Sequence, residues 1–153
     1  MNENERLLDD KKHIVSMRLN SVDRIAVRST AERLFVRESE LYRFAVNHLL
    51  NRLHKLQDES SCGSDLLPLF LELKDELNAH LNLKKPQLFQ ILNNSCLDAE
   101  KFVAMADIEL LLLPAHALRQ RLLQMNDAAK FKQADSQAWL TDYFRDKYNF
   151  ADD

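Results

Sequence analysis

Glycine is almost missing from this chain, at one residue in 153, and proline occurs only three times. A fold of many strands and tight turns needs glycine at positive φ, so this shortage excludes a β-sandwich or barrel and leaves a mainly helical protein. Cysteine is scarce too: Cys62 and Cys96 are the only thiols, far apart, with no CxxC motif or neighbouring histidine pair. A zinc site needs about four clustered ligands, and none assemble here. Long apolar runs are also lacking. The longest, around Ile108 to Leu113, is interrupted by Glu109 and closed by Pro114, well short of the ~18 residues that span a bilayer. The stretch Met1 to Asp10 is acidic and polar, without the positive start and apolar run of a secretory signal. The expectation is a cytoplasmic protein with no membrane partner. In that reducing compartment the two cysteines are expected as free thiols.

Enzymatic signatures are absent as well. There is no GxSxG, phosphate loop or HExxH. His13, His48, His54, His80 and His116 show no metal-binding spacing, and the acidic group Glu72, Asp75 and Glu76 reads as a solvated helix face. Neither enzyme activity, metal nor cofactor is expected.

What the chain does contain is apolar residues at 46 % and charged residues at 29 %, the balance of a globular protein. Its charge is unevenly spread. Between Lys11 and Lys55 ten basic residues face four acidic ones, giving +6 against −3 for the whole, so the rest carries −9. A basic module joined to an acidic one suits a nucleic-acid binder with a second domain. The segment Gln57-Asp58-Glu59-Ser60-Ser61-Cys62-Gly63-Ser64 holds the only glycine and no apolar period, and reads as a linker. The expected organisation is a flexible arm over 1–12, a small domain over 13–56, a linker over 57–64 and an all-α domain over 65–153.

Within 13–56, Val15, Met17 and Leu19 alternate with Ser16 and Arg18, the two-residue period of a half-buried strand. Asn20 or Ser21 can cap a helix from about Val22 to Leu34, with Val27, Ala31 and Leu34 on one face. A break at Phe35 and Val36 precedes a helix from about Glu38 to Leu56, carrying Leu41, Tyr42, Ala45, Val46, Leu49 and Leu53. Arg52 and Lys55 lie near its negative end, a structural placement. Beyond the linker the spacing predicts helices over about 65–83, 87–93, 98–113, 114–125 and 136–148, with Asp98 capping one and Pro114 opening another.

A lone strand cannot satisfy its own backbone N–H and C=O groups. The same strand of a second copy, paired antiparallel across a twofold axis, is the simplest partner. Over residues 13 to 56 the chain resembles the ribbon-helix-helix family. The resemblance rests on Val15-Ser16-Met17-Arg18-Leu19, on Val27 and Ala31-Glu32-Arg33-Leu34, and on Val36 through Val46. It implies a mostly α protein beginning with one strand and two helices, intertwined as a homodimer. Val15, Met17, Leu19, Val27, Ala31, Leu34, Leu41, Tyr42, Ala45, Val46 and Leu49 would form the dimer core. It also implies double-stranded DNA as partner, with the ribbon in the major groove. Ser16 and Arg18 would read bases, with Ile14 and Asn20 at the margins. Arg37, Glu38 and Ser39 at the start of the second helix would hold a phosphate, assisted by Lys11 and Lys12. Two departures stand out: Phe35 occupies the inter-helix position where the family has glycine, and Arg37 replaces a small hydroxyl residue at the cap. The implied role is a transcriptional regulator acting as a repressor. The alternatives are a plasmid partition or relaxosome accessory protein, and an antitoxin-like module that uses the first domain mainly to dimerise and the helical domain to bind a protein. The leucine-rich stretch from Leu66 to Leu123 reads as a folded core, which counts against a simple antitoxin tail.

Overall fold

The computed structural model describes residues 12–94, 96–124 and 136–150. Among them are seven α-helices: α1 (Ser21–Leu34), α2 (Glu38–Arg52), α3 (Leu67–Leu81), α4 (Lys85–Asn93), α5 (Met105–Leu112), α6 (Ala115–Gln124) and α7 (Ser136–Tyr148). Single 3₁₀ turns lie at His54–Gln57, Gly63–Leu66 and Ala99–Lys101. No helix among the described residues is long and apolar enough to cross a membrane. The chain divides into two compact units, Met1–Leu49 and Leu50–Asp153.

In the first unit, residues 12–20 run without helix or strand pairing, and no β-strand occurs among the described residues. The strand expected over 13–19 is therefore not formed here, and no second strand among the described residues could complete its ladder. Asn20 is extended, and its side-chain oxygen accepts the Asp23 N–H at 2.8 Å, opening α1. At the other end Phe35 is left-handed at φ 57°, ψ 37°. Its N–H reaches the Glu32 carbonyl at 3.2 Å and the Val36 N–H reaches Ala31 at 3.0 Å. This is the paired closure that normally calls for glycine. Phe35 is 95 % exposed, so no side chain among the described residues packs on its ring.

Ala31 is the one buried residue of α1, and α2 buries none. The expected core is correspondingly open: Leu19, Val27, Leu41 and Tyr42 are half-buried, while Val15, Met17, Leu34, Ala45, Val46 and Leu49 are exposed. One extended segment beside two helices leaves half of each apolar face with nothing to pack on.

The second unit has a proper core. Sixteen hydrophobic residues form one buried cluster, among them Leu67, Leu73, Leu88, Leu92, Ile108, Leu118, Leu122, Leu140 and Phe144. Each fully buried leucine contributes roughly 1.5–3 kcal/mol of transfer free energy. The helices gather by contacts of α3 with α5 and α7, of α4 with α5, and of α6 with α7.

Three boundaries differ from expectation. Within the expected linker 57–64, Gln57 to Ser60 are exposed, whereas Gly63 and Ser64 are buried and Gly63–Leu66 packs against α3 and α4. Gly63 sits at φ 57° so close to the Lys101 carbonyl that a Cβ would collide with it, which is why the only glycine stands there. The helical unit accordingly begins near Leu50, and the expected helix to Leu56 stops at Arg52. The expected helix over 98–113 is interrupted. Asp98 caps only the short turn Ala99–Lys101. Both backbone groups of Val103 are then taken by the Asn93 side-chain amide, each at 2.9 Å, which holds Val103 outside any helix and in the core. Finally, Cys62 and Cys96, expected as separate thiols, are joined in a disulfide with Cα atoms 5.4 Å apart. The chain passing through α3 and α4 returns residue 96 to residue 62.

Candidate nucleic-acid interface

The residues singled out for DNA contact belong to the first unit. Ser16, Arg18 and Ile14 are exposed on the segment preceding α1. Asn20 is exposed as well, but its side-chain oxygen is committed to the cap of α1, leaving only its amide hydrogens for another partner. Val15 to Leu19 line a groove of about 790 Å³, closed by Arg24 from α1 and by Tyr42, Ala45 and Val46 from α2. Arg18 and Arg24 thus both line one mainly apolar groove. Neither has an ion-pair partner among the described residues, whereas Arg28 pairs with Glu38 at 3.6 Å and Arg37 with Glu40 at 3.3 Å. Arg24 was not singled out by the sequence; its only signal was membership of the basic segment.

The start of α2 is built differently from a simple open anion site. The Arg37 carbonyl accepts the first helical N–H, from Leu41, at 3.1 Å. Its own N–H donates to the Glu40 carboxylate at 2.8 Å. The Arg37 backbone N–H, with the guanidinium beside it, holds the Glu40 carboxyl below the usual range. Arg37 thus stands at the cap position, and Glu40 supplies the acidic half of a capping box without the hydroxyl half. Lys12 is exposed; Lys11 lies outside the described residues.

The second unit holds one polar cluster that sequence reading missed. Asp107, in the first turn of α5, is 1 % exposed. It accepts hydrogen bonds from the Tyr143 hydroxyl at 2.9 Å and from the Tyr148 hydroxyl, and pairs with Lys147 Nζ at 2.7 Å. Burial, with the bond to Asp107, pushes the Tyr148 hydroxyl up to about 12 and raises Tyr143 as well. The Asp107 carboxylate holds Lys147 well above the ordinary lysine range. An open cleft of about 380 Å³ adjoins the cluster, with Arg121 and Gln124 on its rim. Both carboxylate oxygens are satisfied by protein groups, so the arrangement acts as a tie between α5 and α7. Likewise Lys74, nearly buried on α3, donates to the Leu113 carbonyl at 2.6 Å and closes the end of α5.

Arg52 bridges Glu72 and Glu76, at 3.3 Å each, so two members of the acidic group expected to be merely solvated anchor the end of α2. No cluster of three or more His, Cys, Asp or Glu side chains arranged for a metal ion occurs among the described residues. No protein-family model, curated protein or solved structure matches the chain.

Proposed function

We propose that the chain is a sequence-specific DNA-binding protein that works as a dimer of ribbon-helix-helix type and regulates transcription, as a repressor. The observation that carries this reading is the unfinished state of the first unit. The unit, Met1–Leu49, is small enough to be marginal on its own. Among its described residues it buries a single hydrophobic one, Ala31, while Val15, Met17, Leu34, Val46 and Leu49 stay exposed. A second copy supplies both missing parts: a strand for residues 13–19 to pair with and an apolar surface for α1 and α2. The groove beside Tyr42 and Val46 is the space such a partner fills.

In that dimer Ser16 and Arg18 point outward from the ribbon into the major groove, where a guanidinium can bond bidentately to guanine. Ile14 and Asn20 flank them. Backbone phosphates meet Lys11, Lys12, Arg37 and Ser39. A phosphate at the start of α2 takes the place of the Glu40 carboxylate on the Arg37 N–H, and Glu38 must turn aside toward Arg28. The charge of +6 over residues 11 to 55 supports association with a polyanion. A site-marking role in plasmid partition or a relaxosome uses the same contacts and is separated by which sequence is bound.

The test is binding to DNA from upstream of its own coding sequence, across a salt series, by wild type and Arg18→Ala. The expected result is steep weakening with salt, and loss of about 1–3 kcal/mol of sequence discrimination in the variant. Equal, weak binding by both proteins, seen only at low salt, refutes DNA reading by the ribbon and turns the first unit into a dimerisation device.

A further inference from the structure

We infer that Cys62 and Cys96 form a reversible thiol–disulfide site, a clip closed by oxidation and opened by a dithiol reductant without unfolding the helical unit. The inference is independent of the DNA-binding reading, because it concerns only residues 54–101.

Several observations converge on it. The only two cysteines of the chain are paired across 34 residues, with a Cα separation inside the range a disulfide accepts. Both residues are half-buried and not sealed in the core, and Leu97 beside Cys96 is fully exposed, as attack by a small thiolate requires. The covalent bond is also surplus to the fold. A unit with sixteen buried hydrophobic residues in one cluster is not of the small, core-poor kind that depends on disulfides.

The joined segments are held by other contacts as well. Lys101 Nζ meets the Asp65 carboxylate at 2.9 Å, and Leu66 and Leu67 are buried. Asn93 holds Val103 from both sides. The opened state has a partner waiting too: Cys96 Sγ lies 3.8 Å from the Asp98 carbonyl, within reach of an S–H donor.

The chemistry balances as thiol–disulfide exchange. A thiolate of the reductant attacks one sulfur and expels the other cysteine as a thiolate. The second thiol of the reductant, as its thiolate, then displaces the first sulfur, leaving two protein thiols and one reductant disulfide. Peroxide reverses this, taking two electrons and two protons to give two waters. What changes is local. Reduction releases the Asp58–Cys62 loop, which leads into the buried Gly63–Leu66 turn, from the Cys96–Asp98 segment.

The experiment uses the full chain, with dithiothreitol as reductant and hydrogen peroxide as oxidant, both without denaturant. Expected are two alkylatable thiols per chain after reduction, unchanged helical circular dichroism, and amide exchange at least tenfold faster at residues 58–66 and 96–101 only. One equivalent of peroxide restores the slow exchange, and the Cys62→Ser, Cys96→Ser double variant stays fast in either condition. Cysteines that resist reduction until the chain is denatured, a loss of helicity on reduction, or exchange indifferent to redox state would each overturn the inference.

Discussion

Replacing Phe35 by glycine isolates a backbone cost from a side-chain contact. Phe35 is held at φ 57°, ψ 37° with its ring 95 % exposed. A non-glycine residue in that conformation costs roughly 1–2 kcal/mol. Glycine escapes the cost but loses about 0.5–1 kcal/mol through its freer unfolded chain. The ring buries too little to contribute, so Phe35→Gly should stabilise the first unit by about 0.5–1 kcal/mol. At 4–8 °C per kcal/mol for a small domain, its melting point should rise by about 2–8 °C at fixed protein concentration. Trp139, the only tryptophan, lies in the other unit, so the assay is amide exchange of α1 in increasing urea.

Phe35→Ala is the control, keeping the left-handed strain and removing the ring. It should stay within about 0.5 kcal/mol of wild type, as surface substitutions usually do. If Phe35→Gly and Phe35→Ala are both destabilised by 1 kcal/mol or more, the reasoning fails. The ring is then packed in the assembled protein, and strain is retained in exchange for that contact.

Three other outcomes follow. Met17→Asp, which places a charge where the proposed dimer buries an apolar side chain, should halve the sedimentation mass at micromolar concentration; a mass equal to wild type refutes the proposed interface. Asp107→Ala leaves two tyrosine hydroxyls and Lys147 without their acceptor and should destabilise the second unit by about 3 kcal/mol. Trp139 fluorescence in urea reads this directly, because the indole stacks on Tyr143 at 5.1 Å; a cost under 1 kcal/mol would show the cluster to be dispensable. With the Tyr148 hydroxyl raised from 10 to about 12, folding favours its neutral form. That stability is fully present below pH 10 and is lost as pH rises toward 12. Urea midpoints at pH 8 and pH 11 should fall less for Tyr148→Phe than for wild type, and equal falls contradict the assignment.

Much of the helical pattern was legible because helices are local. The cap at Asn20 involves residues three apart, and α7 occupies the very span, Ser136–Tyr148, that its aromatic spacing marks out. Scarce glycine and proline were enough to set the class. The misreadings share a cause. Gly63 and Ser64 resemble linker residues in sequence, but one is needed to approach the Lys101 carbonyl and the other is buried by helices far along the chain. The stretch after Asp98 carries helical spacing, yet Asn93 intercepts the backbone of Val103, ten residues away. Of the proposed interface, the sequence marked Ser16 and Arg18 but not Arg24, since only folding brings α1 beside the segment before it.

By itself, then, the sequence determined the helical class, most helix positions and the alternating apolar pattern over residues 15–19. Those properties depend on neighbours within about four residues and on composition. Only the tertiary structure decided that Asp107 is buried beneath hydroxyls 36 and 41 residues away, that Cys62 meets Cys96, and that the first unit leaves its apolar faces open. Such pairings depend on how helices pack, which no local period encodes. A carboxylate in a first turn reads alike whether water or a tyrosine covers it.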